Sequence, residues 1–458
     1  MFSKETYINR RNRLKEQVGK GLILLLGNEQ SSMNYKDNWY PFRQDSTFLY
    51  FFGIDRAGLV GILDVDTYTD IILGDELTSD DIVWMGPQPS VQEQAERVGI
   101  TKTHPLVKIE AILREARSKK QDIHFLPPYR PENAIKLSTW LGLTPFALQE
   151  GASVTLIKSV IAQRSLKTPE EVAEIEKAIN VTVEMQLMAA KTAQRGMSEA
   201  EVASHLQKIA ISAGGDIAFP TILTVNGQIL HNHYSQTVLK EGQLVLVDCG
   251  AASAMHYSGD MTRTFPVSHT FSHQQREIFQ IVLRAYEQAV EMLKPGVLYK
   301  EVHLNACAML VDGLKQIGLM KGDSQEAVQQ GAHALFFPCG LGHMLGLDTH
   351  DMEDLGEQYV GYTNEIQKST QFGLKSLRLA RALEPGFVLT VEPGLYFNPE
   401  LIDMWSAENK LADFINYDKA ASYKDFGGIR IEEDFLITPE GSTLLGNPLP
   451  RDMEAFIS

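Results

Sequence analysis

The sequence contains few cysteines, and none of them shows the spacing of a disulfide or metal-binding pair. Only three occur among the 458 residues, Cys249, Cys307 and Cys339, and no CxxC motif is present. A disulfide-stabilised scaffold is therefore not expected, and we predict a reducing, cytoplasmic location. Cys249 and Cys307 are interpreted as small packed residues.

Long apolar runs and a surplus of basic charge are also missing. No stretch of about 18 apolar residues occurs, so no membrane span is expected. The N-terminal sequence MFSKETYINRRNRLKEQ is polar and basic and shows no secretory signal. Because 42 basic residues face 58 acidic ones, giving a net charge of -16, nucleic-acid binding is not expected either. The acidic surplus fits a solvated surface, or carboxylates that face metal ions.

The length of the chain and its pattern of apolar runs predict two domains, residues 1–160 and residues 161–458. In the first, GLILLLG (21–27) and GLVGILDVD (58–66) are typical of buried strands, and VQEQAERVG and KIEAILREARSK are typical of helices. This alternation predicts a small α/β domain. The domain lacks the glycine spacing of a dinucleotide site.

The second domain combines long capped helices with strong strands. Thr168, Ser198 and Ser272 each precede a helical pattern and are predicted N-caps, and Gly196 is predicted to end the first of these helices. The strand-like runs are QLVLVD, MTRTFPV, FVLTVEP and GIRIEEDFLIT. We therefore predict an α+β fold in which helices pack on a largely antiparallel sheet.

Two aspartates stand at strand ends in LVLVDCGAASAMHYSGDMTRTF. Asp248 ends an apolar strand, Asp260 precedes another, and the Gly- and Ser-containing segment between them fits a hairpin. Such a hairpin would place the two carboxylates side by side. Taken alone, the pair is more often two turn aspartates.

Two glutamates lie in equally apolar strands. In FVLTVEPG, strand alternation places Thr390 and Glu392 on one face, and in GIRIEEDFLIT it places Arg430 and Glu432 together. A carboxylate in such a strand is costly unless it is paired or binds a metal. Taken alone, an Arg430–Glu432 salt bridge or a solvated sheet face would explain the pattern.

The four carboxylates gain a different meaning if they converge with His343 of GLGHMLGLDTHD. Their charge would then balance two divalent cations, and one imidazole among oxygens favours manganese, cobalt or iron over a thiolate-rich zinc site. Two metals about 3.5–4 Å apart can share a bridging water and lower its pKa. The sequence therefore allows a two-metal hydrolytic centre.

These motifs resemble those of the pita-bread metallopeptidases, and in particular of their Xaa-Pro aminopeptidase (aminopeptidase P) and prolidase branch. GDMTRTFPV, GLGHMLGLDTHD, LEPGFVLTVEPG and GIRIEEDFLIT are similar to the catalytic motifs of that branch and occur in the same order. FRQDSTFLYFFGID is similar to its N-terminal signature, so the resemblance covers nearly the whole chain. It implies a C-terminal pita-bread (creatinase/aminopeptidase-like) domain that follows a smaller N-terminal α/β domain.

The resemblance also implies which residues bind the metals. The implied ligands are Asp248, Asp260, His343, Glu392 and Glu432. Asp260 and Glu432 would bridge both ions, and Glu392 would also act as a proton shuttle. The segment between Asp248 and Asp260 is one residue longer than usual in the family, which a bulge or turn can absorb.

Further residues are implied around the substrate. His350 would contact the substrate and its developing oxyanion, and His233 in LHNHYSQ would line the same pocket. Arg430 would hold the carboxylate ligands. Cys339 departs from the family pattern, because a histidine that shapes the pocket usually stands at this position.

The implied activity is hydrolysis of the bond between an N-terminal residue and proline, with two divalent metal ions. Mn²⁺ is the preferred ion, and Co²⁺, Zn²⁺ or Fe²⁺ are alternatives. The implied partners are a peptide with proline at its second position and further copies of the chain in a dimer or tetramer. A dipeptide-specific prolidase is the alternative within the family, and a metal-free binding protein or creatinase-like enzyme is a more remote one.

Overall fold

In the computed structural model, which describes residues 1–267 and 269–451, the apolar runs near the N-terminus form one five-stranded sheet. Its strands are β1 (Leu22–Leu26), β2 (Val60–Asp64), β3 (Thr69–Leu73), β4 (Lys102–His104) and β5 (Ile123–Phe125). They lie in the order β4-β3-β2-β1-β5, with β1 and β3 parallel to the outer strands and antiparallel to β2. The two runs predicted as buried strands therefore become neighbours.

Helices alternate with these strands along the chain, as the sequence pattern predicts. They are α1 (Lys4–Val18), α2 (Ser46–Phe52), α3 (Ser79–Met85), α4 (Val91–Arg97), α5 (Ile109–Ser118), α6 (Pro131–Leu141), α7 (Pro145–Gly151) and α8 (Val154–Arg164). The helices predicted from VQEQAERVG and KIEAILREARSK correspond to α4 and α5. Leu24, Ile62 and Leu73 from three strands meet Leu113 of α5 in one buried core. The N-terminal α/β domain is confirmed.

In the rest of the chain, three long helices start at the predicted N-cap residues. The helices are α9 (Pro169–Thr192), α10 (Glu199–Ser212), α11 (His273–Glu291), α12 (Tyr299–Gln316), α13 (Ser324–Gln330), α14 (Glu357–Val360), α15 (Pro399–Ala407) and α16 (Tyr417–Ala421). Capping boxes start at Thr168, Ser198 and Ser272, because each side chain accepts a backbone N–H while the third helical residue reaches back to the cap. The first helix ends at Thr192, before the predicted Gly196, because Ala193 already leaves helical geometry with ψ 87°.

The strands of this second part pair antiparallel throughout the described residues. They are β6 (Asp216–Ile217), β7 (Ile222–Thr224), β8 (Leu244–Cys249), β9 (Ala251–Ala252), β10 (Met261–Pro266), β11 (Val388–Val391), β12 (Gly394–Tyr396), β13 (Gly428–Arg430), β14 (Glu433–Ile437) and β15 (Ser442–Leu444). Their ladders run β10-β8-β7, β11-β14-β15, β12-β13 and β6-β9. The α+β prediction is therefore confirmed for this part.

Helix α9 is anchored to the strands by one buried side chain. Gln186 donates from Nε2 to the carbonyl oxygen of Met261 at 2.7 Å and to that of Val247 at 3.1 Å. One amide thus connects the helix to two neighbouring strands, β8 and β10. The buried pair of strands that carries the aspartates is held from one side by this contact.

The connection between β8 and β10 forms the predicted hairpin, and its register is unbroken. Thr262 faces Asp248 in the ladder, and near the turn Ser253 donates its backbone N–H to the carbonyl oxygen of Tyr257. His256 closes the turn with φ 67°, the left-handed conformation that short hairpin loops use. The ladder from Cys249 and Met261 to Ser253 and Tyr257 therefore contains no bulge.

The chain divides into two compact units. The first contains Met1–Arg164 and Asp354–Tyr359, and the second contains Ser165–Glu353 and the chain from Val360 onward. The division follows α8, because α8 packs against α1 within the first unit. The end of the predicted second domain, residues 452–458, lies outside the described residues. None of the described helices is long and apolar enough to cross a membrane.

Candidate metal centre

The hairpin brings the two predicted aspartates to the same end of β8 and β10. Asp248 lies in β8 opposite Thr262, and Asp260 directly precedes β10. Their exposed fractions are only 9% and 4%. Two turn aspartates would face solvent, so burial favours the alternative in which the carboxylates serve a site.

Glu432, which lies between β13 and β14, joins this pair from the other side of β10. Its backbone N–H donates to the carbonyl oxygen of Thr262 at 3.1 Å, which fixes its place beside the hairpin. The hydroxyl of Thr262 also donates to Oε2 of Glu432 at 2.6 Å. One threonine therefore sets both the backbone and the side chain of Glu432.

The segment around His343 runs along β11. Thr390 donates its backbone N–H to the carbonyl oxygen of His343 at 3.0 Å, and Glu392 donates to that of Leu341 at 2.8 Å. Gly342 allows this close approach, because a Cβ at its position would collide with the carbonyl oxygen of Thr390. Backbone pairing thus places His343 next to Glu392, although the two residues are far apart in the sequence.

The side chains of these segments converge. His343 Nε2 lies 3.4 Å from Oδ2 of Asp260 and 3.5 Å from Oε1 of Glu392. Asp260, His343 and Glu432 each offer a ligand atom within 4.8 Å of the others. His343 Nδ1 lies 3.0 Å from the carbonyl oxygen of Met344, so Nδ1 carries the proton and donates it there. Nε2 faces the carboxylates, and an imidazole whose other nitrogen is held by a carbonyl oxygen has the arrangement of a metal ligand.

The electrostatics of the cluster fit a cation. Burial, together with the neighbouring acidic charges, raises the pKa of Asp260 and of Glu432 well above the usual range, and burial raises the pKa of Glu392. Among the described residues, Oδ1 of Asp248 and Oδ1 of Asp260 have no hydrogen-bond partner. Buried carboxylate oxygens without donors are costly, and divalent cations would satisfy them and offset their mutual repulsion.

Arg430 does not form the salt bridge with Glu432 that the sequence left open. Its Nη2 donates to Oδ2 of Asp248, its Nε to Oγ1 of Thr262 at 3.0 Å, and its Nη1 to the hydroxyl of Tyr396 at 3.1 Å. The side chain is 4% exposed. Arg430 therefore fixes one oxygen of Asp248 and, through Thr262, the carboxylate of Glu432.

His350 lies beside the cluster. Its ring is 4.4 Å from that of His343 between centroids, in an edge-to-face orientation, and its Nδ1 is 2.7 Å from Oε2 of Glu353. Burial is the main cause that lowers the pKa of His350 to about 4, and the charge of His343 is the second. The ring is therefore neutral at pH 7. Glu353, which also accepts from Arg378, fixes the orientation of the ring.

His233 and His231 occupy different positions relative to the cluster. His233 is exposed and pairs through its backbone with Ile222. His231 is also exposed, but partial burial lowers its pKa, and the charges of Asp248, Arg430 and His350 act on it. The sequence analysis chose the histidine before tyrosine in LHNHY and missed His231. The motif itself held the signal, since it offers two histidines two positions apart.

Asp434 is a second residue that sequence reasoning missed. It is fully buried, and its Oδ2 accepts the backbone N–H of Asp260 at 3.1 Å. Burial raises its pKa well above the usual range, and its charge acts on Asp260. Asp434 lies within GIRIEEDFLIT, where a third acidic residue in an apolar strand was the available signal.

Cys339 stands at the edge of the same network. Its thiol hydrogen-bonds with Tyr396, and burial, together with the charge of Glu392, raises its pKa to about 12. The thiol is therefore protonated at neutral pH. At this position the chain offers a small neutral group in place of an imidazole.

Comparisons with known proteins agree with this geometry. The model of metallopeptidase family M24 matches residues 173–439, and that of the aminopeptidase P N-terminal domain matches residues 7–124. An Xaa-Pro dipeptidase of Rattus norvegicus is 30% identical over 97% of the chain and 91% of its own length. An Xaa-Pro aminopeptidase of Escherichia coli (strain K12) is 30% identical over 100% of the chain and 98% of its own length.

A solved structure extends the agreement to the fold. Zinc-substituted Escherichia coli aminopeptidase P in complex with product superimposes with a TM-score of 0.80 at 28% identity, covering 100% of this chain and 98% of that one. The predicted fold class and family resemblance are both confirmed. The chain therefore belongs to metallopeptidase family M24, in the pita-bread branch of aminopeptidase P and prolidase, and is a metal-dependent peptidase of that family.

Proposed function

We propose that this protein is an Xaa-Pro aminopeptidase, which hydrolyses the peptide bond between an N-terminal residue and proline. The observation that carries the proposal is the convergence of Asp260, His343, Glu392 and Glu432 in one cluster, with Nε2 of His343 facing two of the carboxylates. Relatives named Xaa-Pro aminopeptidase and an N-terminal domain of aminopeptidase P type support the proline specificity.

The proposed metal ligands are Asp248, Asp260, His343, Glu392 and Glu432. Two divalent cations bound there would polarise the scissile carbonyl and lower the pKa of a bound water. Arg430 holds Asp248, and Thr262 holds Glu432, so the ligand oxygens are oriented before any ion binds.

Glu392 is proposed to move the proton that the reaction needs. The nitrogen of proline leaves as an amine, so it must receive a proton as the peptide bond breaks. Glu392 would take a proton from the attacking water and pass it to that nitrogen, and burial raises its pKa, as suits a carboxyl group that both accepts and donates a proton. The hydroxyl of Thr390 lies 3.3 Å from Oε1 of Glu392 and orients the carboxyl group.

The pocket residues act on the substrate. His350, whose ring is fixed by Glu353, is proposed to contact the substrate where negative charge develops on the carbonyl oxygen. His233 keeps its proposed place in the pocket wall, and His231 is added as a second candidate because the charges of Asp248, Arg430 and His350 act on it. Arg430 is a positioning residue for the carboxylates rather than a substrate contact.

A cleavage assay tests the proposal. Full-length protein reconstituted with Mn²⁺ should release the first residue of an Xaa-Pro-Xaa peptide and leave the matched Xaa-Ala-Xaa peptide intact. The isosteric Asp260→Asn variant is the control for contaminating peptidases. A protein that binds metal but leaves the Xaa-Pro-Xaa peptide uncleaved would rule the proposal out.

A dipeptide-specific prolidase is the second candidate. An Xaa-Pro dipeptidase from Rattus norvegicus is as similar to the chain as the bacterial aminopeptidase, which favours keeping it. Cleavage of an Xaa-Pro dipeptide without cleavage of the longer peptide would establish this function instead. A metal-free binding protein or creatinase-like enzyme is the remote candidate, and less than one equivalent of metal after reconstitution would favour it.

Four finer properties belong to the same proposal. We propose Mn²⁺ as the native ion, because oxygen donors dominate the ligand set, with Co²⁺, Zn²⁺ and Fe²⁺ to be compared by activity. We propose a cytoplasmic location, because all three cysteines are free thiols. We propose a dimer or tetramer, to be tested by light scattering.

The predicted domains, residues 1–160 and 161–458, are proposed to correspond to the two compact units, with the division moved to the end of α8.

A further inference from the structure

A second group of potential metal ligands lies outside the carboxylate cluster. His303 and Cys307 are four residues apart on α12, so they share one face of the helix. His333 lies in the 3₁₀ turn formed by Ala332–Leu335. One ligand atom from each of the three side chains lies within 4.8 Å of the others. The proposed peptidase function gives none of these residues a role.

These side chains are buried, and most of their ring nitrogens lack a hydrogen-bond partner among the described residues. The exposed fraction is 0% for His303 and Cys307 and 2% for His333. In the part of the chain that the structure describes, one side-chain hydrogen bond within this group joins Nε2 of His303 to Sγ of Cys307, at 3.5 Å. Nδ1 of His303 and both ring nitrogens of His333 have no partner among the described residues. Native interiors rarely leave so many polar nitrogens unpaired, and each such group calls for a ligand or another explanation.

The surroundings keep both imidazoles in the form that binds metals. Burial lowers the pKa of His303 to about 3 and that of His333 to about 4, and the nearby charge of Lys300 also disfavours protonation of His303. Both rings are therefore neutral and present lone pairs at pH 7. Phe337 lies against His303 with its ring centroid 5.8 Å away, which adds an apolar wall.

We propose that His303, Cys307 and His333 bind a metal ion of their own, namely Zn²⁺ or an ion of similar preference. Two imidazoles and one thiolate form the donor set of a zinc site, in contrast to the oxygen-rich peptidase centre. Binding would replace the Cys307 thiol by a thiolate and release its proton to solvent.

The position of the cluster assigns this ion a structural role. His333 accepts the backbone N–H groups of Phe336 and Phe337, which open the segment leading to His343. An ion held between α12 and His333 would tie that segment to the helix. The inference rests on these residues alone and stands independently of the proposed peptide substrate.

Cobalt substitution of the full-length protein tests the inference. Cobalt bound to a thiolate gives an intense charge-transfer band in the near ultraviolet, whereas a site of carboxylates and one imidazole gives none. The wild-type protein should show this band, and Cys307→Ser should lose it together with one equivalent of bound metal. Cys249→Ser is the matched control, because Cys249 is a fully buried cysteine beside Asp248 and outside the cluster, and this variant should keep the band.

The contradicting results are equally specific. A cobalt-loaded wild-type protein without the band, or a band that persists in Cys307→Ser, would overturn the inference. A band that disappears in Cys249→Ser would place the thiolate at the carboxylate cluster and also overturn it. X-ray absorption on the zinc-loaded wild-type protein needs no variant, and it should reveal a sulfur neighbour at about 2.3 Å. Absence of that sulfur refutes the site, whereas loss of peptide cleavage alone does not.

Discussion

The hydroxyl of Thr262 offers a sharp test of the carboxylate site. This fully buried threonine donates to Oε2 of Glu432 at 2.6 Å and accepts from Nε of Arg430 at 3.0 Å. Thr262→Val keeps the shape of the side chain and removes only these two hydrogen bonds. We expect Glu432 to lose its fixed orientation and the protein to bind its catalytic metal more weakly.

The magnitude follows from the charges of the two partners. Loss of a group that orients a metal ligand typically lowers affinity about 10–100-fold, which corresponds to about 1.4–2.8 kcal/mol. A hydrogen bond to a charged group contributes about 1.5–3 kcal/mol, so one such bond accounts for the expected change. The same variant should lower the free energy of unfolding of the metal-free protein by a similar amount.

Thr264→Val is the matched control. Thr264 is equally buried on the same strand, but its hydroxyl pairs only with backbone, donating to the carbonyl oxygen of Arg430 at 3.2 Å and accepting its N–H at 3.1 Å. The Thr264→Val substitution should lower the free energy of unfolding by about 0.5–1.5 kcal/mol and leave the metal affinity unchanged. Calorimetric titration of Mn²⁺ into both metal-depleted variants measures the difference. Equal affinities would show that Glu432 is not held for a metal.

Other substitutions separate the remaining roles. Asp260→Ala or Glu432→Ala should abolish turnover of an Xaa-Pro-Xaa peptide while the circular dichroism spectrum stays native, and near-normal activity of either variant would contradict the assignment. Cys339→His should raise kcat/KM if the missing imidazole limits the pocket, and an unchanged value would show that the thiol serves equally well. His231→Ala should lower kcat/KM more than His233→Ala, because the charges of the site act on His231; the reverse order would restore His233 as the pocket histidine.

The regular strands explain why the carboxylates were visible in the sequence. Asp248, Asp260, Glu392 and Glu432 each lie in or beside an otherwise apolar strand, where alternation fixes the face of each side chain. The cost of burying an isolated carboxylate then indicates a shared purpose. The helix starts were visible for a similar reason, since a capping box such as that at Thr168 is a local pattern.

Features that depend on loops or on distant contacts were not visible. His231 and His233 lie outside regular strands, where no periodicity decides which ring faces the site. Asp434 follows two other acidic residues, and only the fold reveals that it receives the backbone N–H of Asp260. The cluster of His303 and His333 depends on a helix and a turn meeting in space, which their separation in sequence does not indicate.

The charge balance of the cluster explains why metal and fold are connected in this protein. Asp248, Asp260, Glu392, Glu432 and Asp434 form a network of electrostatic interactions, and the positive charge of Arg430 acts on Asp260, Glu392 and Glu432. Without ions, these carboxylates must repel one another or take up protons, and either outcome costs folding free energy. The apolar burial and backbone pairing of the surrounding strands therefore offset the electrostatic cost of bringing these carboxylates together. If these residues bind divalent cations, as proposed, relief of that repulsion contributes to the free energy of metal binding and connects it to the stability of the fold.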